Sequence, residues 1–308
     1  MHRTGSGDQG IEPGTRGTSV TSSSALSGGA HLSIPPIIQS ARWAAAQRSR
    51  ESARPDRLFS DPLAQVFAGA EGMTALRLSE QYNPRHQDTA NQIALRVRFF
   101  DDVAQNCAAE GIRQFVLLAA GMDARTYRMN WPEKTTCYEV DHPELLAAKE
   151  EILRGEAAEP KCQRVALGTD LSLDWGPKLI NSGFNHGERS AWLIEGLFYY
   201  LEETAVHHVL TQVSGLAAPG SVVVADLVNR WLLTSPWMQP ALKAMEARGM
   251  PWRFGTDDPA GLFAQHGWKA EVKDPAREGN NYDPKRFPAS ASGPEAKSPG
   301  FFVVARRT

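Results

Sequence analysis

From Ile112 onward, short apolar runs alternate with amphipathic stretches. The runs are "FVLLAA" (115–120), "TCYEV" (136–140), "CQRVAL" (162–167), "AWLIEG" (191–196) and "SVVVADL" (221–227). Between them, "PELLAAKEEILRG" (143–155) and "EETAVHHVLTQVSGLA" (202–217) read as helices. Continuous apolar runs are the mark of parallel strands buried on both faces, and the βαβ rhythm predicts a doubly wound α/β sheet. Two further strands, "WKAEV" (268–272) and "GFFVVARR" (300–307), have no helical pattern between them and predict a closing antiparallel hairpin with a long loop. The expected architecture is a Rossmann-like sheet of seven strands, the layout of class I methyltransferases rather than of a plain dinucleotide-binding fold.

Upstream of the sheet, three helices are expected within residues 37–110: Ile37–Arg50, one introduced by the N-cap signal Ser60-Asp61-Pro62, and Asp88–Glu110. In the last, Ile93, Val97, Phe100 and Ala104 recur at helical spacing, and Gly111 stops it. Residues 1–33, rich in Gly, Ser and Thr, predict a disordered tail before a catalytic domain over 34–308. Residues 229–267 carry Trp231, Trp237 and Trp252 and read equally as a helical lid or as ordinary packing on the sheet.

A formal net charge of −2, with no dominant basic block, argues against a nucleic-acid partner. The basic stretch Arg42–Arg57 reads as a solvated helix face. Three widely spaced cysteines, Cys107, Cys137 and Cys162, form no zinc pattern, so no metal is expected and a reducing compartment fits. No run approaches the roughly 18–20 apolar residues of a membrane span, and no signal segment is evident; a cytoplasmic protein without a membrane partner is expected.

Ligands of open parallel sheets bind beyond the carboxyl ends of the strands. The first strand ends at Ala119-Ala120-Gly121, where the triple-glycine fingerprint is missing because Ala119 occupies its first position. Such a turn suits a ligand without a pyrophosphate better than a nicotinamide dinucleotide. Glu139 and Asp141 fall 18 and 20 residues after Gly121, where an acid can take both ribose hydroxyls; one is assigned to ribose and the other to structure. Asp170 follows the third strand, placed for an exocyclic amine or for a loop cap. Glu195 lies in an apolar run and needs a cationic or hydrogen-bonding partner. Tyr199 and Tyr200 follow it, placed to meet an acceptor at the sheet's lip or to pack beneath the lid. Arg96 or Arg98 can grip a carboxylate.

Together with "LFSDPLA", "ALRVRFFDD", "YEVDHPELLAAKEE", "TDL" and "WLIEGLFYYL", these stretches resemble the leucine carboxyl methyltransferase family, in its bacterial branch. The resemblance covers about residues 40–308 and implies S-adenosylmethionine as cofactor. It implies that Arg96 holds the methionine carboxylate, Asp141 the ribose, Asp170 and Leu171 the adenine, and Glu195 the methionine amine. Gly121 matches the second glycine of the family's L-G-x-G turn, and Ala119 departs from the first. The expected reaction is O-methylation of a carboxylate on a small molecule or peptide. The alternatives are a hydroxyl acceptor of secondary metabolism or, on composition of the fold alone, a nicotinamide-dependent oxidoreductase.

Overall fold

The computed structural model describes residues 35–82, 86–288 and 298–308. The tail expected over 1–33 lies outside the described residues. Helix α1 (Pro36–Ser52) packs along α2 (Ala64–Tyr82), which is broken at Gly69, and α3 (His86–Ala109) leads into the sheet. The order then runs β1 (Gln114–Leu118), α4 (Arg125–Arg128), β2 (Thr136–Asp141), α5 (Pro143–Gly155), β3 (Gln163–Gly168), α6 (Gly176–Asn181), β4 (Ser190–Ile194), α7 (Glu203–Leu216) and β5 (Val222–Val228). It closes with α8 (Gln239–Ala247), α9 (Pro259–Ala264), β6 (Trp268–Lys273), α10 (Pro275–Tyr282) and β7 (Gly300–Arg307).

The seven strands lie in the order β3-β2-β1-β4-β5-β7-β6. The first five are parallel, and β7 enters antiparallel between β5 and β6. This is the sheet expected from the sequence. Alternation splits the side chains of β1 between two cores. Val116 and Leu118 join the layer containing Trp192, Ile194 and the buried face of α7, while Phe115 and Leu117 join Leu193, Val224 and the α3 face. Every residue of β1, β4 and β5 is buried. At one edge, β6 instead exposes Lys269 and Glu271, charges that discourage pairing with another chain.

One local expectation is corrected and two are refined. A helix, α10, interrupts the loop between β6 and β7. The Asp274 side chain accepts from the Ala276 amide at 3.0 Å and Pro275 opens the first turn, so capping rather than apolar periodicity nucleates it. The segment 229–267, open between lid and packing, packs in two places: α9 buries Leu262 and Phe263 in the core, and Trp231 and Trp252 pack in a separate cluster with Tyr199 and Leu232. Finally, α2 begins at Ala64, after a turn at 62–63 that Asp61 introduces as expected, its carboxylate taking the Leu63 amide at 3.2 Å as well as Arg48 Nε at 2.8 Å. The basic stretch of α1 is thus partly an ion-pairing face. Among the described residues, no helix is long and apolar enough to cross a membrane.

Helix α5 starts on Pro143, carries Glu144 in its first turn and Arg154 in its last, and buries Leu145, Lys149 and Leu153 on one face. Lys149 is fully buried because its Nζ lies 2.7 Å from Glu139, which also takes Arg164 at 2.7 Å and the Thr126 hydroxyl at 3.0 Å. Burial alone would raise the Glu139 carboxyl, but Lys149 and Arg164 outweigh it and hold it below its ordinary value. Lys149→Met removes one partner of a buried charge and is expected to cost about 3–5 kcal/mol in urea unfolding. Glu139's contribution is complete above the unfolded value near 4.5 and is lost as the pH falls through the lower folded value. Wild-type stability should therefore fall more steeply than that of the variant below that pH.

Candidate functional site

The strand order reverses between β1 and β4, so a crevice opens beyond their carboxyl ends. The turn after β1 forms one wall. Gly121 has φ +50°, and a Cβ there would stand 3.5 Å from Ala41 Cβ of α1. Its amide donates to Asp141 Oδ2 at 2.6 Å, and the His142 amide donates to Asp141 Oδ1 at 2.7 Å. The last carboxylate of β2 thereby fixes the turn after β1. Burial pushes the Asp141 carboxyl up, against the pull of these two amides. Glu139, the other acid of this pair, faces the Lys149 and Arg164 cluster and is structural.

Ala119, Asp141, Asp170 and Leu171 line one narrow cavity, closed by Leu197 and by Ile37 of α1. Asp170 Oδ1 accepts from the Ser172 amide at 2.8 Å, which is also the first cause of its lowered carboxyl. It therefore caps its own loop, and it also borders the cavity.

The second wall is a buried charge cluster. Arg96, on α3, donates from Nε to Glu195 Oε1 at 3.0 Å, and from Nη1 to the Tyr199 hydroxyl at 2.9 Å and Asp226 Oδ2 at 3.3 Å. Gly196 has φ +69°, and a Cβ there would stand 3.2 Å from the Tyr199 hydroxyl and 3.4 Å from Arg96 Nη2. A larger residue would press on these groups as well as strain the backbone. Its amide donates to Asp226 Oδ1 at 2.6 Å. Burial alone would raise the Glu195 carboxyl, but Arg125 and Arg96 outweigh it and hold it low. Asp226 goes the other way, pushed up by burial that Arg96 offsets only in part.

The cationic partner that Glu195 requires is therefore present twice, in Arg96 and in Arg125, which stands 2.7 Å from Oε2. The signal for it was an arginine opening a helix of only four residues beside Asp123. Asp226 also escaped notice, sitting inside an apolar strand run. Arg98 has a different surrounding, bonded to Asp102 and the Leu58 carbonyl, and does not reach this cluster.

Tyr199 does not stand at an open lip. It is buried with its hydroxyl on Arg96, and burial pushes the phenol well above its ordinary value. Tyr200 is half-buried beside it, with ring centroids 4.7 Å apart. Trp252 packs against Tyr199 with ring centroids 4.6 Å apart and planes tilted by 42°, and joins Trp231, Leu232 and Met238 in a cluster over the end of β5. The indole nitrogens of Trp231 and Trp252 are buried without hydrogen-bond partners.

Comparison with known proteins gives a consistent set of likenesses. A family model for leucine carboxyl methyltransferase matches residues 41–214. A protein of Parafrankia sp. named as an S-adenosyl-L-methionine-dependent methyltransferase is 36% identical over 274 residues, covering 84% of this chain and 84% of the relative. One of the same designation from Streptomyces coelicolor is 39% identical over 230 residues, covering 72% of this chain and 80% of the relative. Among solved structures, a DUF574 family protein from Streptomyces avermitilis has a TM-score of 0.56 at 14% identity and covers 87% of this chain and 97% of that one. A protein from Thermobifida fusca described as a methyltransferase has a TM-score of 0.54 at 16% identity, covering 93% of this chain and 100% of that one. The two structures share the fold.

Ala119 carries its side chain at φ +53°, where an L-residue costs about 1–2 kcal/mol relative to the right-handed region. Ala119→Gly relieves that strain, less the loss of a half-buried methyl and the added freedom of the unfolded chain. A net gain of up to about 1 kcal/mol is expected in chemical unfolding.

Proposed function

The chain belongs to the leucine carboxyl methyltransferase family and is an S-adenosylmethionine-dependent methyltransferase, and from that premise we propose that it methylates a carboxylate of a small molecule or peptide natural product. Family membership sets aside the nicotinamide-dependent oxidoreductase considered from the fold alone. The observation that carries the choice of acceptor is the pair of buried, unpartnered indole N–H groups of Trp231 and Trp252 beside Tyr200. Buried donors left unmade cost about 1–3 kcal/mol each, and an oxygen anion is the partner that satisfies them best. The family's description points the same way.

The residues present fit the cofactor. The positive-φ Gly121 lets the backbone approach a ligand closely. Asp141 is the acid for the ribose, Asp170 and Leu171 border the adenine, Arg96 meets the methionine carboxylate and Glu195 the amine. Glu195 is held ionised by Arg96 at 3.0 Å and Arg125 at 2.7 Å, the charge state that an ammonium partner requires.

When bound, the cofactor supplies a methyl group on a sulfonium whose leaving group is built in. The protein's part is to hold that methyl in line with the acceptor oxygen, positioning that can supply roughly 7–11 kcal/mol of the barrier. A carboxylate, with a pKa near 4, is ionised at neutral pH and needs no base. Tyr199 is unsuited to be one, since burial keeps its phenol protonated. Its hydroxyl instead accepts from Arg96, which leaves Tyr200 and the indoles to orient the acceptor.

Incubation with methyl-labelled cofactor and a panel of organic acids should give a base-labile ester that releases volatile methanol in alkali. A base-stable ether product would instead establish a hydroxyl acceptor. Asp141→Ala should weaken cofactor binding at least about tenfold by calorimetry, since a charge-assisted bond is worth about 1.5–3 kcal/mol. Unchanged affinity would break the proposed ribose site.

A further inference from the structure

Outside the crevice, one cluster of titratable groups has no part in the chemistry above. His207, on α7, and His266, which follows α9, meet with Nδ1 of the first 2.9 Å from Nε2 of the second. Both residues are half-buried. The neighbouring bonds assign the protons. The Thr211 hydroxyl donates to the His207 carbonyl at 2.8 Å, so its oxygen is left to accept from His266 Nδ1 at 3.4 Å. His266 therefore carries its proton on Nδ1 and accepts at Nε2 from His207 Nδ1–H. A first added proton goes to the other nitrogen of His207 and leaves this bond intact. A second must go to His266 Nε2, where it faces the N–H of His207.

No carboxylate of the elements that meet here is aimed at the pair. Asp258, capping α9, takes the Gly261 amide at 2.8 Å. Glu203 of α7 lies 3.9 Å from Arg230, and Glu271 of β6 pairs with Lys273. The cations do not help. On β7, Arg306 pairs with Glu110 at 2.8 Å, and Arg307 donates to the carbonyls of His266 and Gly267 at 2.9 and 2.7 Å. Lys269 of β6 is exposed, and His208 of α7 turns to the Leu173 carbonyl at 3.0 Å. Burial and His207 together press the His266 imidazole below its ordinary value of 6.5. A folded value below the unfolded one means that the contribution of this group is complete above 6.5 and is lost as the pH falls through the lower folded value.

The pair closes a corner of the fold. Trp268, which opens β6, donates from Nε1 to Ser214 Oγ of α7 at 2.7 Å, and α9 buries Leu262 and Phe263 beside it in the same core. Upstream, α9 anchors the stretch in which the Arg253 amide donates to the Tyr199 carbonyl at 2.7 Å. We propose that His207 and His266 form a proton-operated clamp: their shared hydrogen bond holds α9 and the start of β6 against α7 at neutral pH, and a second proton opens it.

Amide hydrogen exchange of the full chain, resolved by peptide and corrected for the intrinsic effect of pH, reads the clamp at about pH 7.5 and about pH 5. In the wild type, residues 259–268 should exchange at least about fivefold faster at the lower pH, while β1 stays within about twofold. His266→Gln keeps a neutral donor and acceptor at that place and should hold the acceleration of 259–268 within about twofold. His207→Gln removes the opposing charge and should do the same; it decides the question alone if His266→Gln loosens the corner at both pH values. An acceleration that survives both substitutions overturns the clamp. So does an unaccelerated wild type, or an acceleration that β1 shares equally.

Discussion

The pairing of Glu195 with two arginines from different elements is the constraint around which the crevice is built. Arg96 comes from α3, Arg125 from the short helix after β1, and Glu195 from the end of β4. Asp101 and Asp123 extend the cluster, and Asp226 joins it from β5. Buried ion pairs rarely stabilise a protein more than apolar packing of similar volume would. The glutamate cluster behind β2 is a second such pairing. Glu139, Lys149 and Arg164 are well paired, with Glu139 and Lys149 fully buried, and they support α5 against the sheet.

The side of the crevice beside the turn after β1 depends on one hydrogen-bonded bridge. Asp141 takes the amides of Gly121 and His142, so its side chain joins the turn after β1 to the start of α5. Helix α1 closes over the same turn: Arg48 bonds the Met122 carbonyl, and Ala41 faces Gly121. A bulky residue at Gly121 would therefore strain the turn and crowd α1 as well as exclude a ligand.

Much of the fold was legible in the chain because its signals are local. The apolar runs gave seven strands, and their continuity gave a parallel sheet buried on both faces. The amphipathic stretch 143–155, opening on Pro143, marked α5. The length and polarity of the segment before Gly300 concealed α10, since a helix of eight residues held by one Asp cap offers no periodicity to read. The sequence also could not divide residues 229–267, where similar aromatic composition serves both the core, through Phe263, and the cluster around Trp252.

The sequence by itself determined which residue types stand at the strand ends, because strand ends and the spacing from Gly121 to Asp141 are properties of the chain. It also determined that a carboxylate in an apolar run, Glu195, must find a cation. Which cation it finds was decided only in three dimensions. Arg96 lies 99 residues away and Arg125 comes from a different loop, and only the reversal of strand order between β1 and β4 brings them to one oxygen pair. The same packing buried Tyr199 on Arg96 and left Tyr200 nearer the surface, although the two are adjacent in the chain. Neighbours in sequence share a local pattern, but their side chains diverge, and charge partners are selected by which elements the sheet carries to the same end.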